Sequence, residues 1–174
     1  MRFSFNLIIL VFFQYSCQQP NYERKSEIEK IISQKNDYKL FFGYRISQRG
    51  PNCYWLRPND SNYTYIINEK NGVYSFIKED YYIHESYPIK QPSPKYLRIV
   101  DAYKKNPALS LYGYNDNGVE ILELNLGELN YVYYIPDISK LSIKKRIWLK
   151  DKTKKINEDF FYYKKKSEYN GIWQ

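Results

Sequence analysis

Histidine, cysteine and alanine are nearly missing from this 174-residue chain. One histidine, His84, and two cysteines, Cys17 and Cys53, cannot furnish a Cys/His zinc site. They allow one disulfide at most. No Walker loop and no Gly-x-Gly-x-x-Gly occurs, so the usual phosphate cradles are excluded. No internal repeat or low-complexity linker divides the chain.

The common catalytic arrangements are also lacking. Ser86 and Glu85 sit beside His84, but a triad converges from separate elements around a nucleophile set on a sharp turn. His84 therefore reads as a surface loop residue. Glu79-Asp80 and Glu158-Asp159 are sequence neighbours. On a strand they point to opposite faces and cannot act jointly across one bond. Asn115-Asp116-Asn117-Gly118 starts with calcium-like spacing, but the stretch from Val119 onward lacks the later ligands such a loop requires. The expectation is a non-enzymatic domain with no catalytic residue, no metal and no cofactor.

What the chain does have is lysine, isoleucine, asparagine and aromatics, including 21 Tyr and 9 Phe. All of these abundant residues have AT-rich codons, so drift in base composition accounts for much of the tyrosine and lysine. The aromatics then serve chiefly as core and sheet-surface residues, since they suit a pleated, half-buried surface. Cys53 reads as a small buried apolar residue.

The first seventeen residues form a separate unit. Arg2 precedes an apolar run over 3–13, interrupted only by Ser4 and Asn6 and followed by Gln14-Tyr15-Ser16-Cys17. The run is well short of the about 20 residues a spanning helix needs, and its layout is that of a secretory signal. A small residue directly before a cysteine at the end of such a run resembles the lipobox of bacterial lipoproteins. Gln14 stands where that class prefers leucine. The resemblance covers about a tenth of the chain and implies cleavage after residue 16, with Cys17 as the acylated first residue. The same residues also suit an ordinary secretory signal cut nearby, or an uncleaved anchor. The implied organisation is a signal at 1–16, a lipid-anchored tether at 17–25 and one globular domain at 26–174.

Within that domain, Ser26 and Glu29 resemble a capping box, and Ile28, Ile31 and Ile32 form one helical stripe over about 26–36. Ser93-Pro94 starts a second helix over about 94–105, with Tyr96, Ile99, Val100 and Tyr103 as its buried stripe. Strands are expected over 38–46, 53–56, 63–68, 73–78, 109–114, 119–126, 131–135 and 158–163. Asn71-Gly72 and the 115–118 stretch are expected to turn two hairpins. Prolines make 81–94 irregular. Over 141–150, Leu141, Ile143, Ile147 and Leu149 alternate with lysines and arginine, which predicts a further half-buried strand. The fold class is α+β, a mainly antiparallel sheet built from hairpins with two short helices.

The net charge of +8 is concentrated. Residues 17–139 hold equal numbers of basic and acidic residues, while 140–174 carry 11 basic against 4 acidic. A one-sign field attracts an anionic partner, so the basic segment 140–166 is a candidate protein or lipid surface. The residues singled out are Lys140, Lys144, Arg146, Trp148 and Lys150, with Trp148 on the lysine face of the expected strand. A solvated, merely basic face is the plain alternative. Nucleic acid is not expected, because no recognition motif is present.

Together these readings predict a lipid-anchored envelope domain on the periplasmic or outer face of a bacterial membrane. It would bind a protein partner, as an accessory or immunity-type lipoprotein does. Alternatives are a small-molecule or glycan-binding module using Tyr54-Trp55 or Tyr81-Tyr82, an unrecognised hydrolase, or a secreted eukaryotic glycoprotein. The last would use the Asn59-Asp60-Ser61 and Asn62-Tyr63-Thr64 acceptor patterns. Intact mass of the membrane-fraction protein tests the anchor: a diacyl or triacyl adduct on a chain starting at Cys17 is expected, and an unmodified soluble chain removes it.

Overall fold

Two Asn-Gly pairs set the hairpins of the molecule. Asn71 and Gly72 have φ of 52° and 77°, and Asn117 and Gly118 have 52° and 87°. Both central residues of each turn are thus left-handed, which matches the twist of the flanking strands. The computed structural model describes residues 24–83, 85–90 and 92–166. The signal over 1–16, Cys17 and His84 lie outside the described residues, as does most of the expected tether.

The described chain forms one ten-stranded sheet in which every strand pairing is antiparallel. The first meander comprises β1 (Tyr44–Gly50), β2 (Cys53–Pro58), β3 (Tyr63–Lys70), β4 (Val73–Asp80) and β5 (Ser86–Ile89). The second comprises β6 (Ser110–Asp116), β7 (Val119–Gly127) and β8 (Asn130–Tyr134), followed later by β9 (Lys154–Lys155) and β10 (Phe160–Lys164). Their order is β5-β4-β3-β2-β1-β6-β7-β8-β10-β9, so β1 and β6 join the meanders. Both outer strands are short, and β5 carries Pro88 while β9 is two lysines. Such edges discourage pairing with another chain.

Helix α1 (Lys25–Ser33), a 3₁₀ turn at Lys35–Leu40 and α2 (Pro94–Lys104) pack on one face. Ile28, Ile31, Tyr38, Phe41, Ile99, Val100 and Tyr103 meet the sheet residues Ile46, Leu56, Ile67, Leu111, Leu124 and Val132 there. Helix α3 (Ile143–Lys152) packs on the opposite face, where Leu149, with Leu141 just before the helix, meets Val119, Ile121, Tyr133, Ile135 and Phe161.

α2 begins as expected, with Ser93 Oγ accepting from the Lys95 amide and Pro94 in the first turn. Four expectations are corrected. The proline-bearing stretch 81–94, expected to be irregular, carries β5, which pairs with β4. The segment 141–150 is helical: Ser142 Oγ accepts from the Lys145 amide at the start of α3, and Trp148 and Leu149 turn inward. The segment 38–46 is not one strand, because Tyr38 and Phe41, three residues apart, both point into the core from the 3₁₀ turn and its exit. The 26–29 capping box does not form. α1 starts one residue earlier, and Arg24 before it pairs with Glu27 at 3.0 Å and Glu128 at 2.8 Å.

The junction of the meanders has almost no spare room. A methyl group at Gly113 on β6 would lie 2.2 Å from the Phe41 carbonyl oxygen and 2.9 Å from Phe42 Cα. The Gly113 carbonyl also accepts from the Gly43 amide at 3.0 Å and the Asn59 side-chain amide at 2.6 Å. Because backbone cannot yield as a flexible side chain can, Gly113→Ala is expected to destabilise the domain by about 3 kcal/mol in urea unfolding.

Candidate functional site

The residues expected to make the basic surface are divided by the helical fold. Lys144, Arg146 and Lys150 are exposed on α3. Lys140 ends the short 3₁₀ turn before α3 and pairs with Asp137 at 3.1 Å. Trp148 lies on the other side of the helix, half-buried against Tyr133 (centroids 5.9 Å apart) and Tyr163 (5.1 Å). A helix turns 100° per residue, so Trp148 stands about 160° from Arg146 and Lys150, with Lys144 beside it one turn back, and the four cannot share one face as they would on a strand. Its role is to seat α3 on the sheet. Lys145 also turns inward and pairs with Asp116. Cys53, expected to be buried, is half-buried and has no disulfide partner among the described residues.

A second set of basic residues sits on the same face of the sheet, beyond α3. That helix covers β7, β8 and β10 but leaves the face over β1 to β4 open. Strand alternation fixes what appears there. With Ile46 and Leu56 inward, Arg45, Ser47 and Arg49 of β1 and Trp55 and Arg57 of β2 point outward. Together with Thr64, Glu79 and Tyr81 they line a recess of about 380 Å³. A second depression of about 220 Å³ shares Arg45 and Arg57 and adds Pro58, Asn59 and Tyr112. A third, of about 690 Å³, touches Asn59 and Tyr112 but turns round the entry end of β1 to the helix-covered side, where Tyr44 packs on Tyr96 and lies under Lys95 of α2. The first two recesses make a trough over β1, β2 and β6.

Each arginine of the trough lies over an aromatic ring. The guanidinium carbons of Arg45, Arg57 and Arg49 are 4.4, 4.2 and 4.9 Å from the ring centres of Tyr112, Tyr81 and Trp55. Among the described residues, none of the three forms an ion pair with a carboxylate. Arg45 and Arg57 are direct partners across the β1–β2 pairing. Like charges directly opposite are destabilising, and each exposed cation–aromatic contact returns only about 0.5–1 kcal/mol. Stacking also leaves guanidinium N–H edges available for a planar anion.

On the helix-covered face, Lys78 and Lys95 also lie over rings, those of Tyr63 and Tyr44, but other charges there join elements. Lys104 of α2 reaches Glu69 of β3 at 2.6 Å, and Tyr74 of β4 donates to Asp101 of α2 at 2.7 Å. Those charges clamp α2 to the sheet. The trough arginines contact neighbouring strands only through rings, with no carboxylate partner among the described residues.

From the trough to the cluster beneath α3, Arg57, Arg45, Tyr112, Glu123, Tyr133 and Phe161 form one cross-strand row. Burial pushes the Glu123 carboxyl above its usual range, against the opposing pull of the Tyr133 hydroxyl, which donates at 3.2 Å, and of Arg45. No protein-family model, curated protein or solved structure matches the chain.

Of the aromatic faces expected to serve a small-molecule or glycan module, Trp55 and Tyr81 line the trough and Tyr54 is buried in the core. The arginines were not identified from sequence, although Arg45-x-Ser47-x-Arg49 and Trp55-x-Arg57 carry their signal as period-two positions around buried Ile46 and Leu56. A carboxyl raised by burial favours folding as it becomes neutral, so its charge opposes the fold at pH 7 and not below its unfolded pKa. Glu123→Gln, which keeps an acceptor for Tyr133, is therefore expected to raise the melting temperature at pH 7. Near pH 4 the gain should shrink toward zero, as scanning calorimetry at the two pH values would show.

Proposed function

We propose that this domain is a non-catalytic binding module that captures an acidic protein segment in the trough over β1, β2 and β6. We further propose that acylation at Cys17 holds it on the outer side of a bacterial membrane. The single observation carrying the binding reading is the set of three arginines stacked on Tyr112, Trp55 and Tyr81 without a carboxylate partner among the described residues. Arginine, tryptophan and tyrosine are the residue types that dominate interface energetics. A central charge repulsion tolerated by the fold is relieved when an anion sits between the two guanidiniums.

A protein segment suits the site better than a compact solute because the trough extends into exposed aromatic surface. Tyr81 continues into Tyr82 and Ile83, which are 68% and 62% exposed. A small anionic ligand is the second reading, favoured by the recess of about 380 Å³ beside Trp55, a volume within the usual ligand range.

Cross-linking and capture from envelope extract, wild type against Arg45→Ala/Arg57→Ala, tests the reading. The wild type should retain an acidic partner, with capture falling as salt rises. The double variant should lose it, at about 2 kcal/mol per arginine. Its thermal stability should be equal or higher, since a like-charge pair is gone. Retention of the same partner by the double variant excludes the trough as its site. A loss of stability instead gives the arginines a structural role.

A further inference from the structure

We infer that the outward ridge of α3 is an interfacial surface that rests on anionic lipid. At 100° per residue, Ile143 and Ile147 lie together at the centre of the side opposite Trp148 and Leu149. They are 70% and 54% exposed. Val73 and Leu109 are exposed singly, as is ordinary, whereas Ile143 and Ile147 adjoin one another one turn apart and make a small apolar strip. Arg146 and Lys150 flank the pair on one side and Lys144 on the other, all exposed; Asp151 is the single acidic residue of the helix. Apolar side chains bordered by long basic ones are the pattern of a helix lying in a lipid interface. The isoleucines enter the boundary while the lysine and arginine stems stay along it, with their charges at the headgroups.

Two further features favour lipid over an acidic protein as the occupant. The ridge is convex and carries no aromatic side chain, whereas the trough has both the concavity and the Arg/Tyr/Trp composition of a protein interface. The chain also enters the domain close to further basic residues. Arg24 pairs with Glu128 in the β7–β8 turn, and the Lys165 amide donates to Leu129 in that same turn at 2.9 Å. Arg24 is seven residues beyond Cys17, at most roughly 25 Å of chain. This last point rests on the Cys17 reading; the ridge itself does not.

Flotation of the full chain with two kinds of vesicle separates these readings. One is phosphatidylcholine alone, and the other replaces one part in three with phosphatidylglycerol. Binding to phosphatidylcholine alone reports the acyl anchor. The additional binding given by phosphatidylglycerol reports α3. For the wild type, phosphatidylglycerol should strengthen binding at least tenfold, and about 0.5 M salt should remove most of that gain. Lys144→Glu/Arg146→Glu/Lys150→Glu should abolish the gain. Ile143→Ser/Ile147→Ser, which leaves every charge in place, should reduce it several-fold and leave a salt-sensitive remainder. Binding to phosphatidylcholine should be the same for all three proteins. An equal phosphatidylglycerol gain in wild type and the charge-reversed variant overturns the inference. A gain untouched by the isoleucine changes overturns the insertion of the ridge. Loss of phosphatidylcholine binding alone removes the anchor and leaves the ridge standing.

Discussion

The pairing of β1 with β6 is the constraint on which the rest of the molecule depends. It joins two meanders that are separated in sequence by α2, through the partners Arg45–Tyr112, Ile46–Leu111 and Ser47–Ser110. A slip of one residue would turn every side chain of β1 to the opposite face. Ile46 would then leave the core, and Arg45 would enter it beneath α2. Packing at the strand entry fixes the register. Phe42 bridges to Gly113, whose carbonyl is held by Gly43 and Asn59, and Phe41 occupies the place a side chain at 113 would need. A backbone approach this close substitutes for the many short-range contacts that a hairpin supplies to its own strands. The same contact therefore sets both the core and the side chains presented to solvent.

The two faces of the sheet then follow different rules. Over the helix-covered face, several charges hold elements together, as with Lys104 and Glu69 or Lys35 and Asp159, while Lys78 and Lys95 lie over tyrosine rings. The other face is only half covered. α3 brings Leu149 and Trp148 down onto Tyr133 and Phe161, and the sheet beyond it is filled by guanidinium groups opposite one another. Natural sequences keep such local conflicts mostly at functional positions. A solvated face needs no stacking of arginine on aromatic rings. Lysines elsewhere lie over rings as well, so what distinguishes the trough is three stacked arginines around one recess, two of them direct partners across β1 and β2.

How much of this was legible in the sequence depends on whether the signal is local. Asn71-Gly72 and Ser93-Pro94 specify a turn and a helix start within a few residues, and both formed where expected. The α3 segment failed because its pattern fits two periods. Leu141, Ile143, Ile147 and Leu149 alternate well enough for a strand, yet Ile143 and Ile147 are the residues left in water, and Trp148, read as exposed, is packed. Residues 38–42 failed for a related reason, since a nearly continuous apolar run carries no period at all. The trough's arginines were illegible for a different cause. They lie on strands read only in part, and Tyr112 joins them through a pairing that spans more than sixty residues. Nothing in the local pattern says that β6 follows β1 in the sheet.

The features that misled the local reading also tie the two proposed surfaces together. α3 stands on the same face of the sheet as the trough, with Tyr112 and Tyr114 of β6 between them, and Tyr114 packs against the cluster beneath α3. With the isoleucine ridge against lipid, the open half of that face is turned toward the bilayer side of the domain rather than away from it. A partner reaching the trough would then be one presented near the membrane surface. Competition there is electrostatic as well as steric, because headgroups and an acidic segment would both be drawn to Arg45 and Arg57. The stacked geometry gives the segment its advantage. A guanidinium held flat on a ring offers its N–H edge in a fixed direction to a planar carboxylate, whereas a fluid headgroup layer meets mainly its charge.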